Sequence, residues 1–276
     1  MLRKRHHLLL AVRCVGVLAL AAGSLLAQQR DNRDPQLDCD DRWRGDNGVW
    51  YCEMREVTAP ASGGTIIVDE VRNGGVSVKG WARNEIWVRA QVRSKADTEN
   101  EARELARQVR IETSGLRLRA EGPERVDDRQ WSVGFEIFVP HHSNLSVAAR
   151  NGGIHVADVH GDIEFETRNG GVSLERLAGD VSGHTRNGGV TIDLAGERWE
   201  GERLDVETRN GGVKVDIPSN YSARVETETV NGPIKVEFPV QVQGDIGKRL
   251  SFQLGSGGGL VRAVTTNGGV VIRRKS

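Results

Sequence analysis

The sequence predicts an all-β protein, a β-solenoid or β-helix-like stack of repeats with one inserted α-helix, and three observations predict it. An Asn-Gly-Gly element (once Asn-Gly-Pro) places its Asn at 73, 151, 169, 187, 210, 231 and 267, separated by 78, 18, 18, 23, 21 and 36 residues. Its flanks recur too: Thr167-Arg168-Asn169-Gly170-Gly171-Val172, Thr185-Arg186-Asn187-Gly188-Gly189-Val190 and Thr208-Arg209-Asn210-Gly211-Gly212-Val213. After each turn apolar and polar residues alternate, as Ile154 and Val156 around His155, or Val190, Ile192 and Leu194 around Thr191 and Asp193. Period two with β-branched residues marks a half-buried strand, and a constant repeat marks units that must stack to bury their apolar side.

Residues 1–27 read as a secretory signal peptide. Arg3, Lys4, Arg5, His6 and His7 precede an apolar run from Leu8 to Leu26, and Ala27 offers a small residue for cleavage. Arg13 interrupts the run, which argues against a permanent membrane span, and no second run of spanning length follows. Cleavage there removes four basic residues and no acidic ones, leaving 34 against 38. A formal charge of −4 with no basic stripe argues against nucleic acid as a partner.

Residues 28–56 form an N-terminal segment whose Cys39 and Cys52 are the two cysteines left after cleavage. An even pair in an exported chain, with no His nearby, points to a disulfide rather than a metal or redox site. Closing that loop stabilises by ~3 kcal/mol on the chain-entropy view. Trp43 and Trp50 lie inside the loop, placed to cover the end of the core.

Residues 57–276 carry the repeats. A first β unit runs from Thr65 to Val92, and a helix at about 97–110 accounts for the long first spacing. Ala102, Leu105, Ala106 and Val109 fall at helical spacing, and Thr98 with Glu101 fits a capping box. Strands resume at Leu116–Arg119 and Trp131–Val139. Within the array a second short strand precedes each turn, as in Ile163–Thr167 and Leu204–Thr208. Asn and Gly at the corners enter the left-handed region cheaply, which is the expected reason for their recurrence. Pro140, Pro218 and Pro239 each end a strand before a loop. An Asn-Gly turn is also the strongest hairpin signal, so an antiparallel β-sandwich is the alternative architecture. Register identity with short strands favours the stacked arrangement, with Thr167, Thr185 and Thr208 in one column and the Asn residues in the next.

Cys52-Glu-Met-Arg-Glu56, Trp131-Ser-Val-Gly-Phe-Glu-Ile-Phe-Val-Pro140, the serial Thr-x-Asn-Gly-Gly-Val units and the terminal Gly-Ser-Gly loop before Thr266-Asn267-Gly268 occur in that order. In this the chain resembles, over about residues 38–276, a bacterial family of exported proteins labelled "putative adhesins", a β-strand-repeat domain of unknown function. The resemblance implies a β-solenoid-like fold and an envelope or surface location, and transfers no catalytic residue.

The residues themselves point away from catalysis. His141, His142, His155, His160 and His184 show no metal-ligand spacing, and no carboxylate stands in the corner where a calcium-binding β-roll needs one; Asp162 and Asp180 alone make a poor cage. No metal or cofactor is expected. Glu164, Glu166, Glu175, Glu207 and Glu226 recur with the strands and read as an outer face rather than as a glycosidase pair. Asn144-Leu-Ser and Asn220-Tyr-Ser are formal glycosylation sequons, of a kind common by chance, and the family the chain resembles is bacterial. One constellation stands out: Arg150, Arg168, Arg186 and Arg209, with Arg72 in the early unit, each precede the turn Asn. Stacking would set them ~4.8 Å apart. Glu166 and Glu207, two residues earlier, could screen them as a salt-bridge ladder; otherwise the row is a cationic strip for an anionic envelope polymer. The leading expectation is a non-catalytic exported adhesin or envelope scaffold, its partner an envelope polysaccharide or a membrane or surface protein. A carbohydrate-active enzyme on a β-helix and an envelope-stress accessory protein are the alternatives.

Overall fold

Alternation gives every strand one apolar face, and the protein joins those faces between two large sheets. The structure, a computed structural model, describes residues 37–39, 48–124, 128–240, 242–243 and 247–275. The chain divides into Met1–Pro35 and Gln36–Ser276, and the described residues all belong to the second unit. The signal segment 1–27 and Trp43 lie outside them.

The described residues form one ten-stranded and one eleven-stranded sheet. Each repeat unit gives one strand to each. In the Asn169 unit, His160–Asn169 lies in the eleven-stranded sheet and Val172–Glu175 in the ten-stranded one. Neighbouring units pair in parallel and in register: Asn169 stands opposite Asn151 and Asn187, and Val172 opposite Ile154 and Val190. The two strands joined by Asn-Gly-Gly therefore do not pair with each other. Backbone bonds cross between units through the corner as well, Gly170 N–H to the Asn187 carbonyl at 3.0 Å and Val172 N–H to that of Gly189 at 2.9 Å. Antiparallel pairing is confined to other places, joining Val49–Pro60 to Glu85–Ala96, Glu85–Ala96 to Gln130–Pro140, Arg110–Ser114 to Arg117–Glu121, and Arg249–Leu254 to Ala223–Asn231 and Val242–Gln243. The sheets are thus mixed.

The order of units in space departs from their order in the chain. The last unit, Leu260–Asn267 and Val270–Arg274, lies between the Asn210 and Asn231 units: Asn267 stands opposite both Asn210 and Asn231, and Val270 opposite Val213 and Ile234. The chain skips one position after Ile217 and its final segment fills it.

Glycine recurs at the corners for a reason other than the expected one. Among the described residues the non-glycine residues with positive φ are Asp158 and Arg176, not the Asn residues. Of the first corner glycines Gly74 and Gly268 have positive φ, while Gly152, Gly170, Gly188, Gly211 and Gly232 do not. Instead, a Cβ on Gly170 would lie 2.0 Å from the Gly152 carbonyl oxygen. Stacked corners approach so closely that the first glycine has no room for a side chain. At the second, Gly171, a Cβ would meet the Gly189 oxygen at 3.4 Å, an ordinary contact. That tolerance fits Pro233, which occupies the equivalent place in the Asn231 unit.

The core runs between the sheets through Ile163, Phe165, Val172, Leu174, Val190, Ile192, Val206 and Val215, all nearly inaccessible to solvent. Near the N-terminus the ten-stranded sheet continues with Val49–Pro60, Glu85–Ala96 and Gln130–Pro140. There the helix Glu99–Gln108 packs on the first two of these strands. Its buried Ala102 and Ala106 face them, and Ala106 and Val109 join the same core. Thr98 and Glu101 form the capping box at its start. At its end the Arg55 guanidinium donates to the carbonyls of Ala106 and Val109, groups a helix terminus otherwise leaves unpaired. Cys39 and Cys52 are bonded, with Cα atoms 5.6 Å apart, tying residues 37–39 to this extension.

Candidate functional site

Parallel, in-register stacking turns each repeated residue into a row. Asn73, Asn151, Asn169, Asn187, Asn210, Asn267 and Asn231 stand in that order along one edge, and each side-chain amide donates to the carbonyl oxygen of the Asn before it. The six bonds measure 2.8–3.1 Å. Two positions earlier the side chains point inward. The buried hydroxyls of Thr167, Thr185, Thr208, Thr265 and Thr229 each donate to the first-glycine carbonyl of the adjoining unit at 2.8–3.0 Å. Thr229 and Thr265 belong to this column although their flanks lack the Thr-Arg-Asn signature.

Between the Thr and Asn rows lies the arginine row. Arg72, Arg150, Arg168, Arg186 and Arg209 occupy consecutive units, all exposed. Arg72 adjoins Arg150 despite a separation of 78 positions in the chain, because Asn73 pairs with Asn151. The next two units place Thr266 and the exposed Val230 at this position. Arg72, Arg150, Arg168 and Arg186 alternate with their Asn neighbours along an open groove. The salt-bridge ladder does not form. Glu166 instead approaches His184 at 3.5 Å, and Glu207 binds Arg262 at 2.7 Å, which also holds Asp205. Among the described residues no carboxylate lies within ion-pair distance of the five arginines, whereas Arg89, Arg119, Arg176, Arg249 and Arg273 elsewhere all hold one.

The other sequence candidates are spread apart. His141 Nδ1 lies 2.9 Å from the Asp158 carbonyl oxygen, His142 packs edge-on against His160, and His155 lies 3.7 Å from Glu175. No three metal-ligating side chains gather among the described residues. The Asp180 carboxylate accepts the backbone N–H of Glu202 and Arg203, and the Asn144 side chain accepts that of Asp162. These polar groups hold the second corner of their units.

That second corner also holds a pair that the repeated signature does not announce. Asp158 and Arg176 occupy equivalent places in adjoining units, both with positive φ, and bind through two bonds of 2.7 and 2.8 Å. The Arg176 bond holds the Asp158 carboxyl below its ordinary pKa against the opposing effect of burial. Asp216 is also shifted downward: burial opposes the shift, and bonds from Arg273 and Lys214 outweigh it. On the outer face of the ten-stranded sheet Trp81, Trp87 and Phe138 pack ring on ring with centroids 5.0–6.0 Å apart. Arg83 and Arg89 lie against Trp81 and Trp87. No helix among the described residues is long and apolar enough to cross a membrane.

No protein-family model and no curated protein matches the sequence. Solved structures similar to this chain include a "putative cell adhesion protein" from Clostridium sporogenes, 13% identical, covering 82% of this chain and 100% of that one with a TM-score of 0.46. A "putative adhesin" from Bacteroides fragilis is 8% identical over 82% and 97% of the two chains, with a TM-score of 0.36. A "putative lipid binding protein" from Parabacteroides distasonis is 11% identical over 83% and 98%, with a TM-score of 0.40.

Proposed function

We propose that this chain is an exported, non-catalytic scaffold of the adhesin type, a β-solenoid whose long edge is presented to partners in the cell envelope or at the cell surface. One observation carries this reading: the residues that recur most are used by the stack itself. Asn closes the ladder, Thr anchors the neighbouring corner, glycine allows close approach, and Val begins the next strand. The exposed arginine is the repeated residue left without a structural partner among the described residues. A glycosidase needs one carboxyl held protonated opposite a second carboxylate. Among the described residues the carboxyls with shifted pKa, Asp158 and Asp216, move the other way, as salt-bridged groups do. The signal-like residues 1–27 and the disulfide support export.

The test is to incubate protein starting at residue 28 with isolated envelope polysaccharides, measuring retention and the release of reducing ends. Retention without new reducing ends is expected. Steady release of reducing ends would overturn the non-catalytic reading.

A further inference from the structure

We propose that the arginine row is a track for a linear acidic polysaccharide, bound in extended form along the stacking direction; this rests on the scaffold reading and gives it a ligand class. From Arg72 to Arg209 the row spans about 19 Å at the ~4.8 Å spacing of paired strands. Like charges so close repel one another even in water. Arg89, Arg119, Arg176, Arg249 and Arg273 each have a carboxylate beside them. Among the described residues Arg198, Arg203 and Arg274 have none but pair in register with uncharged residues, whereas this edge sets five unpaired arginines in register. The carboxylates best placed to pair with the row, Glu166 and Glu207, are turned to His184 and Arg262. A polymer carrying one carboxylate or sulfate per sugar supplies regularly spaced anions on one line, and each contact replaces a repulsion with an attraction.

Each unit also supplies a second kind of donor. The ladder uses one N–H of each Asn side-chain amide from Asn151 onward, and the other has no partner among the described residues. A guanidinium fork and an amide N–H per unit suit the planar carboxylate or the sulfate group. The row then stops, since Thr266 and Val230 take its place in the last two units, which sets a finite length of polymer.

The geometry favours this partner over two other polyanions. An anionic bilayer is a plane, and its binders add apolar side chains that enter it; among the described residues the large apolar side chains that stand exposed are Val49 and Val230. Single-stranded nucleic acid binds on aromatic side chains interleaved with basic ones, and Trp81, Trp87 and Phe138 lie on the outer face of the other sheet.

The experiment measures binding of protein from residue 28 to polygalacturonate, heparin, neutral dextran and vesicles containing phosphatidylglycerol. The wild type is compared with R168A/R186A and with R103A/R224A, which removes the same charge away from the row. Matched circular dichroism and thermal midpoints establish that the variants are folded. The expected result is binding to an acidic polymer that R168A/R186A weakens at least tenfold and R103A/R224A leaves nearly unchanged. Its salt dependence becomes shallower in the row variant, because fewer counterions are exchanged. Digalacturonate binds far more weakly than the polymer. Equal loss in both double variants, no binding to either acidic polymer, or preference for vesicles over polymer overturns the track. If R168A/R186A still captures envelope polysaccharide as well as the wild type, the track falls and the scaffold reading stands. If the wild type captures none, the scaffold reading falls as well.

Discussion

At the scale of single residues, a repeated motif can be read for its phase more safely than for its cause. The flanks of Asn169, Asn187 and Asn210 sufficed to place Thr, Arg and Asn in separate rows, because alternation fixes which way each side chain points. The reason common to the first glycines was not legible, since it lies in a backbone carbonyl brought close by the fold, and positive φ is confined to Gly74 and Gly268 among them. The two glycines should therefore differ. Gly170→Ala places a Cβ 2.0 Å from the Gly152 oxygen and should cost about 1–3 kcal/mol, as overpacking does. Gly171→Ala should cost well under half of that, and urea denaturation of the two variants measures the difference. The Asp158–Arg176 pair was invisible for a similar reason: neither residue belongs to the repeated signature. Its contribution has a definite pH window. A carboxyl whose pKa is depressed on folding stabilises above its unfolded value and loses that effect as pH falls through the folded one. Asp158→Asn keeps a residue that tolerates positive φ and removes the charge. It should lower stability by less than about 1 kcal/mol at pH 7, given the exposure of the pair. The gap between variant and wild type should close below about pH 4; a gap that stays constant from pH 7 to pH 3 would show that the ion pair contributes nothing.

At the scale of elements, the helix was legible and the order of the units was not. Thr98, Glu101 and the spacing of Ala102 and Ala106 are local signals, and a capping box forms from local residues. The placement of the last unit depends on which strand edges pair after the chain has passed them by, and sequence period says nothing about that. The spacing of 36 before Asn267 told of extra chain, not of a return to an earlier gap. The hairpin signal of Asn-Gly failed at these corners because each strand finds its partner in the neighbouring unit instead of across the turn. Paired cysteines distinguish the two orders. Arg209 and Thr266 are neighbours in register, since Thr208 pairs with Thr265 and Asn210 with Asn267. Strand neighbours at ~4.8 Å lie within the Cα separation a disulfide accepts, whereas Arg209 and Val230 lie two units apart. R209C/T266C should form an internal disulfide on mild oxidation and R209C/V230C should not, as mapped by mass spectrometry of proteolytic fragments. The reverse result would mean that the units follow chain order.

At the scale of the whole molecule, stacking joins fold and function. Seven corners in register make a continuous polar edge, and whatever residue each unit places there joins a row. A −4 balance from residue 28 onward excluded a generally basic binder from composition alone. It could not show that five arginines lie together with no carboxylate of the described residues beside them, because that depends on where the carboxylates turn. The scaffold reading rests on this arrangement rather than on any cleft. The measurement that tests it most directly is retention of size-fractionated envelope polysaccharide on immobilised protein from residue 28, with the chain length of the bound material determined before and after. The account predicts that acidic polymer is retained, is released by salt and keeps its length. Shortened chains, or no retention at low salt, would contradict it.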